Sequence, residues 1–140
     1  MNKSDLRKIC LAGQKSLSFG ERIEKSRAIS ENFFENFDLA KIDFLHSFLP
    51  IEKFNEIDTK FIFQKIWKDF PLVRTLVPRV DFESFEMKNL LYDAETELSQ
   101  NAWNIHEPLH DETIETEKID AVLVPLLCFD VRGFRVGYGQ

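Results

Sequence analysis

Near the end of the chain, Arg135-Val136-Gly137-Tyr138-Gly139 places two glycines at alternate positions directly after a cation. Glycines spaced this way let backbone N–H groups crowd around an anion without Cβ interference, and the arginine supplies a fork-shaped cation for phosphate oxygens. The chemistry indicated is phosphate binding, with a nucleotide as the natural ligand. At the other end, Lys3 and Arg7 stand one helical turn apart, so both cations point the same way and can reach a single phosphate chain. Each signal has an ordinary reading beside it. Lys3 and Arg7 also describe a solvated basic helix face, and Arg132-Gly133 marks a turn that makes the glycine stretch readable as a hairpin. The glycine pattern lacks the strand-to-helix context of a Rossmann or Walker loop. His106 and His110, with Glu107 and Asp111, imitate a metal pair at helical spacing, but Pro108 breaks the helix such a pair needs. A surface loop explains them, and no residue is assigned as a metal ligand.

The elements that must position these groups read as follows. Lys3 to about Ser16 is a helix with Leu6, Ile9 and Cys10 on the face away from the cations. Ser18-Phe19-Gly20-Glu21 fits a capping box and opens a second helix to about Phe37, with Ile29, Phe33 and Phe37 as its buried stripe. Lys41 to Leu49, ended by Pro50, is the first strand. Asp58 or Thr59 caps a third helix through Phe70, stopped by Pro71, with Ile62, Ile66 and Phe70 recurring inward and Trp67 at core spacing. Leu72 to Val80 and Phe85 to Leu91 are two strands whose short connection implies an antiparallel pair. Glu95 to Glu117 reads as polar loop. Ile119 to Leu127 is nearly continuous apolar, as expected of a central strand covered on both faces. The alternation predicts an α/β fold with three α/β/α layers around a mostly parallel sheet. Arg79, Glu56 and Arg135 all follow apolar runs, where ligands of such sheets gather.

At 140 residues the chain is one domain, residues 1–140. Its 44% hydrophobic content, with 14 Phe, suits a packed core rather than disorder. A formal charge of −6 argues against a nucleic-acid surface. The absence of a long apolar run and of an apolar leader predicts a cytoplasmic chain with no membrane contact. Cys10 and Cys128 match no metal or redox spacing and read as free, buried thiols.

Taken together, the segments resemble the 5-formyltetrahydrofolate cyclo-ligase family, also called methenyltetrahydrofolate synthetases. The resemblance rests on Lys3-x-x-Leu6-Arg7, Phe48-Leu49 followed by Glu56-Ile57-Asp58-Thr59, Val77-Pro78-Arg79, Trp103-Asn104-Ile105-x-Glu107-Pro108, and the stretch from Asp120 through Gly139. Its most specific part is Pro125 to Asp130 followed by Gly133-Phe134-Arg135-Val136-Gly137-Tyr138-Gly139. Each piece alone is weak; their order and spacing carry the match. The family pattern continues with a further glycine, an aromatic pair and an aspartate, so the chain is expected to lack the C-terminal part and, as printed, to turn over little or not at all.

The resemblance implies ATP- and Mg2+-dependent closure of 5-formyltetrahydrofolate to 5,10-methenyltetrahydrofolate, with ADP and phosphate released through an iminium phosphate. It places ATP at Lys3, Arg7, Arg135, Gly137, Tyr138 and Gly139. It places the folate at Leu49, Glu56 and Trp103, and names no catalytic side chain. A carboxylate at Glu56 suits the paired N–H donors of a pterin, although Glu56 to Thr59 could equally just open the third helix. Trp103 could stack on the pterin or simply anchor a loop. Magnesium would arrive with ATP. A monomer is expected. The alternative is a non-catalytic relative that binds nucleotide or folate.

Overall fold

The structure, a computed structural model, describes residues 1–139. Asn2 caps helix α1 (Lys3–Lys15), its side chain accepting from the Asp5 N–H at 2.9 Å. The expected capping box opens α2 (Phe19–Asn36): the Glu21 N–H donates to Ser18 Oγ at 3.1 Å and the Ser18 N–H to Glu21 Oε1 at 3.0 Å. Strand β1 (Phe44–Ser47) is shorter than the run Lys41–Leu49, because Leu39–Lys41 forms a 3-10 turn capped by Asp38. A second such turn, Glu52–Phe54, precedes α3 (Lys60–Asp69). At the start of α3 the two candidate caps divide the work. Asp58 Oδ1 accepts from the Lys60 N–H at 3.0 Å, while the Thr59 hydroxyl donates to the Phe48 carbonyl at 2.9 Å.

The remaining strands are β2 (Arg74–Val80), β3 (Met87–Leu91), β4 (Leu98–Gln100), β5 (His106–Pro108), β6 (Ala121–Leu123), β7 (Cys128–Phe129) and β8 (Arg135–Val136). Four of them make the main sheet in the order β3-β2-β1-β6. β1 pairs in parallel with both β2 and β6, and β2 pairs antiparallel with β3, which gives the mostly parallel α/β architecture read from the sequence. Asp120 fastens β6 to β1: its Oδ2 accepts from the N–H groups of Asp43 and Phe44 at 2.8 and 3.0 Å. The described residues include no helix long and apolar enough to cross a membrane.

One face of this sheet carries α2 and α3. Leu39, Leu45, Ile62, Ile66 and Val73 form the buried cluster, with Phe33, Phe34, Trp67 and Phe70 packed against it. Phe34 stacks on Phe70 at 5.9 Å between centroids. Each such aliphatic side chain removed from water contributes about 1.5–3 kcal/mol. Trp67 is the packing residue its spacing implied, and its Nε1–H donates to Thr75 Oγ1 at 2.9 Å. On β1, His46 is buried and neither ring nitrogen has a hydrogen-bond partner among the described residues. Burial holds its pKa below the ordinary value.

Four expectations are corrected. The buried stripe of α2 is Arg22, Ser26 and Ser30, whereas Ile29 and Phe37 are exposed and only Phe33 packs inward. The stripe is polar because it covers backbone rather than side chains. The Ser26 hydroxyl accepts from the Asp58 N–H at 2.8 Å, and Arg22 Nε donates to the Glu56 carbonyl. The run Ile119–Leu127 is not a central strand among the described residues: only Ala121–Leu123 pairs, at the edge of the sheet, and Val122 is 54% exposed. The stretch 95–117 is not plain loop, since β4 and β5 form an antiparallel hairpin there. Cys10 and Cys128 are free as expected, but half-buried rather than buried. They also lie against each other, and hydrogen bonding to Cys10 raises the pKa of the Cys128 thiol.

Candidate functional site

Strands β1, β2 and β6 run parallel, so their carboxyl ends share one edge, and a cavity of about 400 Å³ opens there. Phe48 and Leu49 line it just past β1, Pro78 and Val80 at the end of β2, and Pro125 past β6. This is where ligands of open α/β sheets sit. The walls are mostly apolar. Their polar points are Glu56, Asn101, His106, Glu107 and the turn Gly137 to Gly139.

Glu56 is the most constrained of these groups. It is 4% exposed, and its Oε1 accepts from the Ile51 N–H at 2.7 Å. Burial pushes its pKa up; the Ile51 N–H, the Tyr138 hydroxyl and the Arg22 guanidinium pull the other way by favouring the ionised form. The loop that carries it is tied to both α2 and the end of α1. Arg22 of α2 binds the Glu56 carbonyl and lies 3.7 Å from Glu52. Asn55, at the left-handed φ of 55° that asparagine tolerates, donates to the carbonyls of Gln14 and Leu17 at 2.9 and 3.0 Å. A carboxylate buried in an apolar wall and fixed at its root suits a ligand that presents paired N–H donors.

The glycine stretch closes the same cavity from the other side. β7 and β8 form a small hairpin, and the turn after it returns against α1. Arg7 Nε donates to the Gly137 carbonyl at 3.2 Å. Gly139 has a φ of 89°, and a Cβ there would lie 2.8 Å from Arg7 Nε, so the guanidinium rests on the glycine itself. Tyr138 turns inward. Its ring stacks on Phe54 at 5.5 Å, and its hydroxyl accepts from Gln14 Nε2 at 2.9 Å. Burial and the nearby Glu56 carboxylate push its pKa up to about 12.

Of the residues chosen from sequence, Leu49, Glu56, Gly137, Tyr138 and Gly139 line one cavity, and Arg7 is bonded to its rim. Lys3 and Arg135 are exposed and form no ion pair among the described residues. Trp103 is 54% exposed and packs on Phe82 at 5.2 Å, so it backs a lining residue instead of lining the cavity. His106 and Glu107 sit on β5, His110 Nε2 is 2.7 Å from the Leu91 carbonyl, and Asp111 pairs with Arg79 at 2.6 Å. The described residues hold no cluster of three or more His, Cys, Asp or Glu able to bind a metal. Arg79 ties β2 to the β4–β5 segment through Asp111 and the carbonyls of Pro108 and His110. Sequence reasoning missed Gln14, Arg22 and Phe54. Only Gln14 left a trace, two turns from Arg7 on the same helix face.

Comparison with known proteins places the chain among described relatives. The model of the 5-formyltetrahydrofolate cyclo-ligase family matches residues 1–140. The mouse 5-formyltetrahydrofolate cyclo-ligase is 26% identical over 133 residues, covering 90% of this chain and 64% of the mouse protein. The enzyme of that name from Escherichia coli K12 is 32% identical over 89 residues, 60% of this chain and 47% of its own length. The chain thus spans less than two thirds of the length of these curated relatives. Among solved structures, the 5,10-methenyltetrahydrofolate synthetase of Aquifex aeolicus superposes with a TM-score of 0.81 at 28% identity, covering all of this chain and 69% of that one. The Mycoplasma pneumoniae synthetase superposes at 0.71 with 25% identity, covering 99% and 73%. The chain belongs to the 5-formyltetrahydrofolate cyclo-ligase family.

Proposed function

We propose that the cavity binds 5-formyltetrahydrofolate and that the protein closes it, with ATP, to 5,10-methenyltetrahydrofolate, releasing ADP and phosphate. The observation that carries this reading is the buried Glu56 carboxylate in an apolar wall beside a glycine turn clamped by Arg7. Glu56 would accept the paired N–H donors of the pterin, and Leu49 would pack on its ring. Trp103 acts from behind Phe82, steadying the cavity mouth. Arg7 and the N–H groups of Gly137, Tyr138 and Gly139 would cradle the phosphates, with Lys3 and Arg135 as mobile cations that swing in when ATP arrives. Mg2+ would be carried by ATP and keep its water ligands.

The chemistry asks little of the protein beyond alignment. The formyl oxygen attacks the γ-phosphorus in line and ADP leaves, giving an iminium phosphate. Folate N10 then attacks that carbon, loses its proton, and the C–O bond breaks to release phosphate. Positioning and neutralisation of developing charge dominate such transfers. The apolar walls keep water from the reactive iminium carbon. A protein acting alone and inside the cytoplasm fits this reading.

The test is to mix the protein with 5-formyltetrahydrofolate, ATP and Mg2+, follow the methenyl chromophore, and measure folate binding by calorimetry in parallel. Folate binding abolished by Glu56→Ala, with product formed by a chain that spans the whole length of the curated relatives, is the expected result. A folded protein that neither binds the folate nor forms product overturns the proposal. Binding without turnover favours the second reading, a nucleotide- or folate-binding relative without catalysis.

A further inference from the structure

Gln14 lies outside the cavity lining, yet its amide holds two residues that form it. Nε2 stands 2.7 Å from the Phe54 carbonyl oxygen and 2.9 Å from the Tyr138 hydroxyl oxygen. A carbonyl only accepts, so the amide atom that faces it is the nitrogen, and each partner takes one N–H. The same residue's backbone carbonyl accepts from Asn55 Nδ2 at 2.9 Å. One position on α1 therefore grips Phe54, Asn55 and Tyr138, and Glu56 is the next residue along the loop. The rings of Phe54 and Tyr138 stack at 5.5 Å between centroids, with their planes 20° apart. Such a stack is worth about 0.5–1.5 kcal/mol and a neutral hydrogen bond about the same, so neither outweighs the other. Bridge and stack act as one joint.

We propose that Gln14 is a positioning residue for the folate side of the site: its amide joins Phe54 to Tyr138 and so fixes the aromatic wall that stands beside Glu56. The inference rests on the reading of this cavity as the place where the pterin binds. Tyr138 is flanked by two glycines, whose backbone freedom leaves the direction of its ring to be set from outside the turn. Phe54 closes the Glu52–Phe54 turn just before the left-handed Asn55, and it too needs an outside hold. Gln14 supplies both from a regular helix. α1 thus divides its grip on the glycine turn between two side chains, Arg7 taking the Gly137 backbone and Gln14 the Tyr138 hydroxyl. Without the amide, the Tyr138 ring keeps its stack but loses the bridge, and a planar ligand must order the wall again on binding.

The test is a double-mutant cycle on affinity for 5-formyltetrahydrofolate, measured by calorimetry for the wild type, Gln14→Met, Tyr138→Phe and the double variant. Met keeps the length and bulk of Gln14 without its donors, and Phe keeps the ring against Phe54 without the oxygen. Each single variant is expected to lose about tenfold, and the double variant no more than either. Losses that multiply in the double variant mean that Gln14 merely fastens α1, and they overturn the inference. An unchanged affinity in Tyr138→Phe overturns it too, whether or not Gln14→Met folds. A second readout needs no ligand. The chain has two tyrosines, so tyrosine labelled at Cζ gives two carbon NMR signals, and Tyr138→Phe identifies the one from Tyr138. Gln14→Met is expected to move that signal and leave the Tyr92 signal in place. A Tyr138 signal that does not move overturns the inference. A moved signal in a protein whose wild type binds no folate upholds the Gln14 bridge and overturns the pterin reading instead.

Discussion

Gly133 and Gly139 share a backbone conformation, with φ of 87° and 89°, but not a neighbourhood. A Cβ at Gly133 meets nothing within 4 Å; at Gly139 it meets Arg7. Alanine at either position carries the same backbone strain, about 1–2 kcal/mol. Urea titrations of Gly133→Ala and Gly139→Ala are therefore expected to show similar losses of stability. Only Gly139→Ala displaces the Arg7 guanidinium, a flexible group that yields without unfolding anything, so only that variant should bind ATP more weakly, by about tenfold. Equal nucleotide affinity in the two variants would sink the role assigned to the Arg7 contact. Arg7 and the glycines were legible in sequence because cations at helical spacing and alternating glycines carry their chemistry in their identity. Gln14 and Phe54 were not. An amide on a helix and a phenylalanine in a loop acquire a role only when the fold brings α1, the Glu52–Phe54 turn and Tyr138 together.

Helix boundaries were read closely wherever a cap announced them, and the Ser18–Glu21 box is the plainest case. Ser18→Ala removes the acceptor for the Glu21 N–H and is expected to cost about 1 kcal/mol, seen as a lower denaturant midpoint at unchanged slope. No change in midpoint would mean that α2 is held by its packing alone. What the helix buries was misread, for a physical reason. Hydrophobic periodicity finds faces that cover side chains, but Arg22 and Ser26 cover the irregular backbone of the loop before α3, where donors and acceptors are needed. The same loop carries Glu56, so the polar stripe and the candidate carboxylate are parts of one device. The β4–β5 hairpin escaped notice because strands of three residues are too short to show alternation.

The mostly parallel direction of the sheet and its one antiparallel pair were legible from apolar runs and connection lengths, whereas the strand order and the edge position of β6 were not. A continuous apolar run indicates an apolar environment without saying what supplies it, and Val122 and Val124 remain exposed among the described residues. β6 is instead located by one carboxylate. Asp120 accepts from Phe44 and Asp43, and these donors hold its pKa below the usual carboxylate range. A depressed folded-state pKa gives stability that is present above the unfolded value and lost as pH falls through the folded one. Asp120→Asn is therefore expected to be less stable than the wild type at neutral pH, with the gap closing as pH falls below the ordinary carboxylate range. A gap that stays constant across that range would rule out this account. Helix α1 buries no residue of its own, and its ties, through Arg7 and Gln14, run to Gly137 and Tyr138 near the other end of the chain. A solitary helix of 13 residues is marginal in water. During synthesis, at about 5–20 residues per second, α1 therefore waits on the order of ten seconds for Gly137 and Tyr138 to leave the ribosome. Until then α1 has only the Glu52–Phe54 turn and Asn55 to dock on, through Gln14, and the cavity stays open on the side that the glycine turn closes.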